Sequence, residues 1–179
     1  MCSSYDIITN GEKYKFRTTG YDPYSMFRGR YITIYYKNTE IKFEESNNEN
    51  EDGDSKQKMV YVTIKKDKDG FAYFDKKMYN KKGLVDGEYY TITEGGMIKY
   101  SGIDNLPDRY YMNEKDAVMA DSAYQKASEI NMTYAVLAVR KGRVLLRGLY
   151  IYDMPIEKFL KLSEKEQDKL YKDAVNMEK

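Results

Sequence analysis

The alternation of apolar and polar positions predicts a chain made mainly of β-strands. Segments that alternate, or that are dense in β-branched and aromatic residues, lie at 12–18, 27–36, 40–44, 59–65, 71–76, 88–93, 97–103, 133–140 and 143–152. Three successive pairs flank turn sequences, namely Asp67-Lys68-Asp69-Gly70, Glu94-Gly95-Gly96 and Lys141-Gly142. We therefore expect about nine strands, mostly joined as antiparallel neighbours.

Helical spacing interrupts the strands at two places. Asn113 is a good N-cap residue, and the apolar positions that follow it are three or four residues apart: Ala120, Ala123, Tyr124, Ala127 and Ile130. A short helix is predicted from Pro155, and Ser163 with Glu166 forms a capping box that begins another. We expect one helix inserted between strands and a helical C-terminal tail at 155–179.

The predicted fold is therefore α+β, a mostly antiparallel sheet that could curl toward a barrel. At 179 residues the chain fits one domain spanning 1–179, and no linker divides it. The 20 tyrosines strengthen the β assignment, because tyrosine favours strands. The polar stretch 44–58 is predicted to be a long hairpin loop.

Composition excludes several classes of chemistry. The chain has no histidine, which removes every catalytic scheme that needs an imidazole, and its single cysteine allows no internal disulfide. Lysine and arginine total 30 against 29 aspartate and glutamate residues, and they are interleaved. Nucleic-acid binding normally needs a basic surplus, so we expect no nucleic-acid partner.

No metal or cofactor site is predicted. Asp67-Lys68-Asp69-Gly70 has the beginning of a calcium loop, but its flanks are predicted strands and the further oxygen ligands are missing. We interpret it as a hairpin turn. The chain also has no apolar run of the roughly 20 residues that a membrane-spanning helix needs, and residues 1–11 do not have the pattern of a signal peptide. We expect the chain as given to be soluble.

Two segments concentrate charged and aromatic residues at the start or end of a strand. In 21–36, Asp22-Pro23 predicts a turn and Arg28-Gly29-Arg30 opens a strand. In 106–127, Arg109, Tyr110 and Tyr111 precede a helix that begins near Glu114. Ion pairs with a purely structural role would explain the charged residues of both segments. The functional alternative is an edge that binds an anion or a partner. The candidate binding surface joins both segments in one concave patch: Asp22, Arg28, Arg30, Tyr31, Arg109, Tyr111 and Glu114.

Together the two segments resemble the GDYXXLXY family of bacterial membrane-anchored proteins. The family pattern is matched by Gly29-Arg30-Tyr31-Ile32-Thr33-Ile34-Tyr35-Tyr36, preceded by Asp22-Pro23. Arg30 stands where the pattern has aspartate and Ile34 where it has leucine, so an acidic role at position 30 does not transfer. The similarity continues in Asp69-Gly70-Phe71-Ala72, in 108–114 and in the closing hairpin with Gly142, Leu149 and Tyr150, and it covers about 10–155.

The resemblance implies a location more than an activity. Members of the family usually have one N-terminal membrane-spanning segment, with the remainder outside the cytoplasm. We therefore expect an extracytoplasmic protein with an anchor that precedes this chain, and a lipid on Cys2 is the alternative anchor. The resemblance supplies no catalytic residues.

Three functions remain open at this point. We expect a non-enzymatic binding or interaction protein whose partner is another envelope or membrane protein. The first alternative is a hydrolase of envelope material that uses Asp22 and Glu114 as a carboxylate pair, which requires carboxyl groups within about 10 Å. The second alternative is a structural subunit of a membrane-protein complex.

Overall fold

The computed structural model describes residues 3–20, 30–37, 39, 58–94 and 106–177. Four helices lie in these ranges: α1 (Ser4–Asn10), α2 (Glu114–Glu129), α3 (Ile156–Phe159) and α4 (Glu164–Met177). The strands are β1 (Glu12–Thr19), β2 (Tyr31–Thr33), β3 (Tyr35–Tyr36), β4 (Lys58–Lys66), β5 (Ala72–Met78), β6 (Tyr89–Glu94), β7 (Arg109–Tyr111), β8 (Thr133–Arg140), β9 (Arg143–Ile151) and β10 (Met154–Pro155).

The strands form three sheets. A five-stranded sheet has the order β10-β9-β8-β1-β3, a three-stranded sheet has the order β5-β4-β6, and β2 pairs with β7. The strand pairs with a described register are antiparallel. The α+β fold with mostly antiparallel sheets and a helical C-terminus is therefore confirmed. Among the described strands the sheets do not close, so the barrel-like form is not the one adopted.

The chain divides into two compact units. Unit 1 comprises Met1–Tyr14, Asn38–Leu106 and Ala138–Leu145, and unit 2 comprises Lys15–Lys37, Pro107–Leu137 and Leu146–Lys179. Each unit is described by itself below. The expectation of a single domain stays a prediction.

Unit 1 is organised around β4, the central strand of the three-stranded sheet. Its buried side chains, Val60, Val62 and Ile64, alternate along the strand because successive residues point to opposite faces. The turn between β4 and β5 uses Asp67, whose Oδ1 accepts hydrogen bonds from the N–H groups of Asp69 (2.9 Å) and Phe71 (2.8 Å). This carboxylate closes the hairpin, in agreement with the predicted turn.

The turn between β8 and β9 contacts β6 within unit 1. The N–H of Thr91 donates to the carbonyl of Gly142 at 2.9 Å, and Tyr90 forms a parallel bridge with the same glycine. Gly142 has a φ of +73°, and a Cβ placed on it would lie 2.1 Å from Oγ1 of Thr91. A side chain at this position would have to displace the side chains of Thr91 and Tyr89, and the positive φ also favours glycine.

Unit 2 has a helix-on-sheet core. Buried residues of α2 and α3 pack with buried strand residues in one cluster: Ile32, Ile34, Ala120, Tyr124, Ala127, Ala135, Leu149, Ile151, Ile156 and Phe159. The buried hydroxyl of Thr18 donates to that of Thr133 at 3.1 Å, and Thr133 donates to the carbonyl of Thr18. These bonds satisfy polar groups that would otherwise destabilise the core.

The predicted helices are confirmed. Asn113 caps α2 by accepting a hydrogen bond from the N–H of Lys115. Glu166 accepts from the backbone and hydroxyl of Ser163, at 2.8 and 2.6 Å, ahead of α4. The helix α1 was not predicted. The strands expected at 40–44 and 97–103 and the loop at 44–58 lie outside the described residues, except that position 58 begins β4.

Candidate functional site

The two segments singled out in the sequence meet in unit 2, where β2 pairs with β7. The register places Tyr31 opposite Tyr111 and Thr33 opposite Arg109. Backbone hydrogen bonds extend the pairing at both ends, since Met112 donates to Arg30 at 2.9 Å and Ile34 donates to Asp108 at 2.7 Å. Residues 76 to 80 positions apart in the chain are thus held side by side by a regular antiparallel ladder.

The side chains of Tyr31, Arg109 and Tyr111 form one contact group. The ring centroids of the two tyrosines are 5.6 Å apart and tilted by 57°, and the Arg109 guanidinium lies 4.9 Å from the Tyr31 ring centroid. A hydrogen bond to Tyr111 raises the pKa of Arg109. Electrostatic interactions of Arg109 with Tyr31 and with Asp108 raise it further. The guanidinium therefore keeps its positive charge between two aromatic side chains.

Arg30 and Glu114 form a second contact group at the start of β2. Nε of Arg30 lies 3.5 Å from Oε2 of Glu114, and the two side chains are 74% and 65% exposed. Only Met112 and Asn113 separate β7 from the helix α2. Because Met112 is hydrogen-bonded to Arg30, Glu114 lies beside Arg30. An ion pair this exposed contributes little to stability. Because both side chains are largely exposed, both charges remain accessible to a ligand.

We call the residues Arg30, Tyr31, Arg109, Tyr111 and Glu114 the tyrosine–arginine surface. The structure brings these five predicted residues together in one unit, and Tyr111 is 66% exposed. Asp22 and Arg28 lie outside the described residues, so the structure tests neither their place in the surface nor the Asp22–Glu114 carboxylate pair. That the surface is concave and binds a ligand stays a prediction.

Sequence reasoning missed neighbours of this surface. Asp108 Oδ1 lies 4.0 Å from Nε of Arg109, and the Tyr110 hydroxyl donates to Glu157 on α3. Burial, followed by the hydrogen bond to Glu157, raises the pKa of Tyr110. The alternation of β7 indicates that Tyr110 points away from Tyr111, but its partner on α3 has no local sequence signal.

Two further features are absent from the part of the chain that the structure describes. Within those ranges no group of three or more cysteine, aspartate or glutamate residues could hold a metal ion. None of the described helices is both long and apolar enough to cross a membrane.

Comparison with known proteins identifies kinship without an activity. The family model of the GDYXXLXY protein matches residues 1–149, which include all of the tyrosine–arginine surface. Searches of the curated proteins and of the solved structures gave no match. The family match covers most of the 179 residues. The chain therefore belongs to the GDYXXLXY protein family.

Proposed function

We propose that this protein is a non-enzymatic binding module that recognises another protein through the tyrosine–arginine surface. The observation that supports the proposal is the group of a half-buried Tyr31 with an exposed Arg109 and an exposed Tyr111 on paired strands. Tyrosine and arginine are the side chains that most often dominate the binding energy of protein interfaces. Here a regular strand pair orders them in advance, which lowers the entropic cost of binding.

The polar pair beside this group suits the edge of such an interface. Arg30 and Glu114 offer one charge of each sign at the end of the surface, where charges govern orientation more than affinity. Tyr111 presents a large apolar ring with a polar hydroxyl, so it can be buried in a complex and still keep a hydrogen bond. The surface therefore has an aromatic centre and a charged rim, as protein interfaces do.

We place the protein on the extracytoplasmic side of a bacterial membrane, joined to it by an anchor. The support is family membership, together with the N-terminal anchor that the resemblance at Gly29–Tyr36 implies. A C-terminal fusion of alkaline phosphatase to the gene in its natural reading frame tests the location. We expect phosphatase activity, because that enzyme folds outside the cytoplasm; an inactive phosphatase fusion together with an active cytoplasmic reporter fusion would contradict the location.

Site-specific photocrosslinking tests the binding role. A photoreactive phenylalanine analogue is placed at Tyr111 in the natural protein, in its own host, and a matched protein has it at Tyr79 of unit 1, which is also exposed. We expect a discrete crosslinked product from position 111 that is absent from position 79. The product should also disappear when Arg109→Ala is added.

The outcomes separate the candidate functions. Equal products from both positions, or a product at 111 that survives Arg109→Ala, would show that the surface has no specific role. A crosslinked product of fixed one-to-one stoichiometry with an integral membrane protein would instead favour the structural-subunit alternative. Circular dichroism of the Arg109→Ala protein verifies that this variant is folded, so that a loss of crosslinking is not caused by unfolding.

A further inference from the structure

The tyrosine–arginine surface continues across unit 2 on the face of the strands that points away from α2. Residues 31–36 alternate, with Ile32 and Ile34 in the core and Tyr31, Thr33 and Tyr35 on the opposite side. Tyr35 is 39% exposed. Because β3 follows β2 after one residue, this outward row passes from the β7 pairing to the β1 pairing.

The register then links the row to basic residues of β1. Tyr35 lies opposite Thr19, and the N–H of Lys37 donates to the carbonyl of Arg17 at 2.8 Å. Arg17 alternates with the buried Phe16 and Thr18, so its side chain shares the outward side with Tyr35. We call this side the outer face of unit 2, and it comprises Arg17, Thr19, Tyr31, Thr33, Tyr35, Lys37, Arg109 and Tyr111.

Cationic side chains occupy two rows of the outer face, and Asp108 Oδ1 lies 4.0 Å from Nε of Arg109. Arg109, opposite Thr33, forms one row, while Lys37 and Arg17 form the other, four residues further along the strand. At the rise of a β-strand, the backbone positions of the two rows, marked by the Cα atoms of Thr33 and Lys37, are about 13 Å apart. Between them lies the neutral row of Tyr35 and Thr19. A single small anion cannot reach both rows, so the spacing selects an extended ligand.

We propose that the outer face binds an extended acidic peptide segment of a partner protein, with carboxylates four residues apart and an apolar side chain midway. In an extended peptide, positions one, three and five point to the same side and span about 13 Å. The carboxylates would meet Arg109 and the Lys37–Arg17 row, and the middle side chain would lie on Tyr35. This inference rests on the proposed binding function and adds the chemistry of its partner.

Charge density favours a peptide over a nucleic acid. A nucleic-acid strand carries one phosphate at every nucleotide, and its affinity comes from neutralising many of them. The outer face instead alternates cationic and neutral rows. Sparse carboxylates on an extended chain match this alternation, and the exposed tyrosines match the apolar side chain between them.

The test uses a fluorescent, end-blocked five-residue peptide with glutamate at positions one and five and tyrosine at position three. Fluorescence anisotropy measures its dissociation constant with the whole chain at low salt. We expect Arg109→Gln and Lys37→Gln each to weaken binding about tenfold, as expected for one charged hydrogen bond. Lys37→Arg should restore it, because this variant keeps a positive charge at position 37.

Two controls make the result specific. Lys65→Gln, in unit 1, removes an exposed lysine paired with Asp75 and should leave the dissociation constant unchanged. A peptide with glutamates at positions one and two, of equal charge, should bind about tenfold more weakly because it cannot reach both rows. Equal affinity of the two peptides would overturn the proposal, as would tighter binding of a thymidine oligonucleotide or of alginate.

Failure here can be told apart from failure of the binding function. If crosslinking from position 111 depends on Arg109 but the peptide binds Lys37→Gln as well as it binds the natural sequence, the proposed function stands and the extended site is wrong. If crosslinking from position 111 is not specific, the proposed function itself is wrong, whatever the peptide does.

Discussion

One arginine–carboxylate pair in each unit differs in how far it is exposed. In unit 1, Nε of Arg140 lies 3.3 Å from Oδ2 of Asp6, and both side chains are about 30% exposed. In unit 2, the Arg30–Glu114 pair is exposed, and Arg109 lies against the ring of Tyr31 with Asp108 Oδ1 4.0 Å from its Nε. The pairs Arg140–Asp6 and Arg30–Glu114 have the same kinds of charged group and differ in exposure, so exposure distinguishes them where composition cannot.

The largest effects should come from the two cores. Phe16 in unit 2 and Phe74 in unit 1 are both almost completely buried. We expect Phe16→Ala and Phe74→Ala each to lower the free energy of unfolding by about 3–5 kcal/mol, since each leaves a cavity. Urea unfolding followed by circular dichroism measures the loss. If the chain is one domain, both variants shift one common transition; separate transitions would show that the units unfold independently.

Alkaline pH should destabilise unit 2 through its buried tyrosines. Burial raises the pKa of Tyr124 from 10.0 to about 12. Because the folded state binds this proton more tightly, the contribution of Tyr124 to the free energy of unfolding is complete below about pH 10. It is lost as the pH rises through 12. At about 1.4 kcal/mol per pKa unit, Tyr124 accounts for about 2–3 kcal/mol.

Tyr124→Phe should therefore make the free energy of unfolding less dependent on pH between 10 and 12, measured by urea titrations at each pH. Tyr14 of unit 1 is the matched residue, and its pKa is also raised to about 12, by burial and then by Glu12 and Glu88. Salt screens charges near the surface, so added salt should reduce the effect of Tyr14→Phe and not that of Tyr124→Phe. An identical salt response would contradict this difference.

Neutralising one acid of each ion pair tests the opening comparison directly. Asp6→Asn should destabilise the protein by about 1–3 kcal/mol, because it leaves a partly buried guanidinium without its countercharge. Glu114→Gln should cost less than about 1 kcal/mol. Thermal unfolding of both variants in the same buffer measures the difference, and equal losses would remove the distinction between the units.

The smallest expected effects concern helix caps. Asn113 caps α2 in unit 2, and Ser3 caps α1 in unit 1 by accepting from the N–H of Asp6. We expect Asn113→Ala and Ser3→Ala each to lower the free energy of unfolding by about 1 kcal/mol. The readout is the urea midpoint. A larger loss for Asn113→Ala than for the core variants would mean that α2 organises the pairing of β2 with β7 as well as its own first turn.

The sequence predicted local structure well because local structure has local causes. The β4–β5 hairpin follows from Asp67 and Gly70, and the start of α4 follows from Ser163 and Glu166. The segment 27–36 was predicted as one strand, and its described part forms β2 and β3, which pair with different partners. β7 lies 76 to 80 positions after its partners in β2, and β1 lies 16 to 18 positions before its partners in β3. Side-chain alternation alone cannot select either partner.

The candidate surface shows the same limit. Clusters of arginine and tyrosine at two strand ends led to the candidate residues, five of which the structure brings together, while their binding role stays a prediction. The pairing of Tyr31 with Tyr111 could not be derived, since many registers place tyrosines on the outer side. The outer basic row was also missed, although Lys15 and Arg17 alternate visibly with Tyr14 and Phe16.

The close approach of Gly142 to β6 has a consequence for the behaviour of the protein in concentrated solution. Among the described strands β6 lies at the edge of its sheet, and an unpaired edge is a template for strands of other molecules. By bonding to Thr91, the β8–β9 turn occupies part of that edge. A side chain at position 142 would crowd Thr91 and weaken this contact. We expect the first effect of such a substitution to be aggregation between molecules, before any loss of the fold.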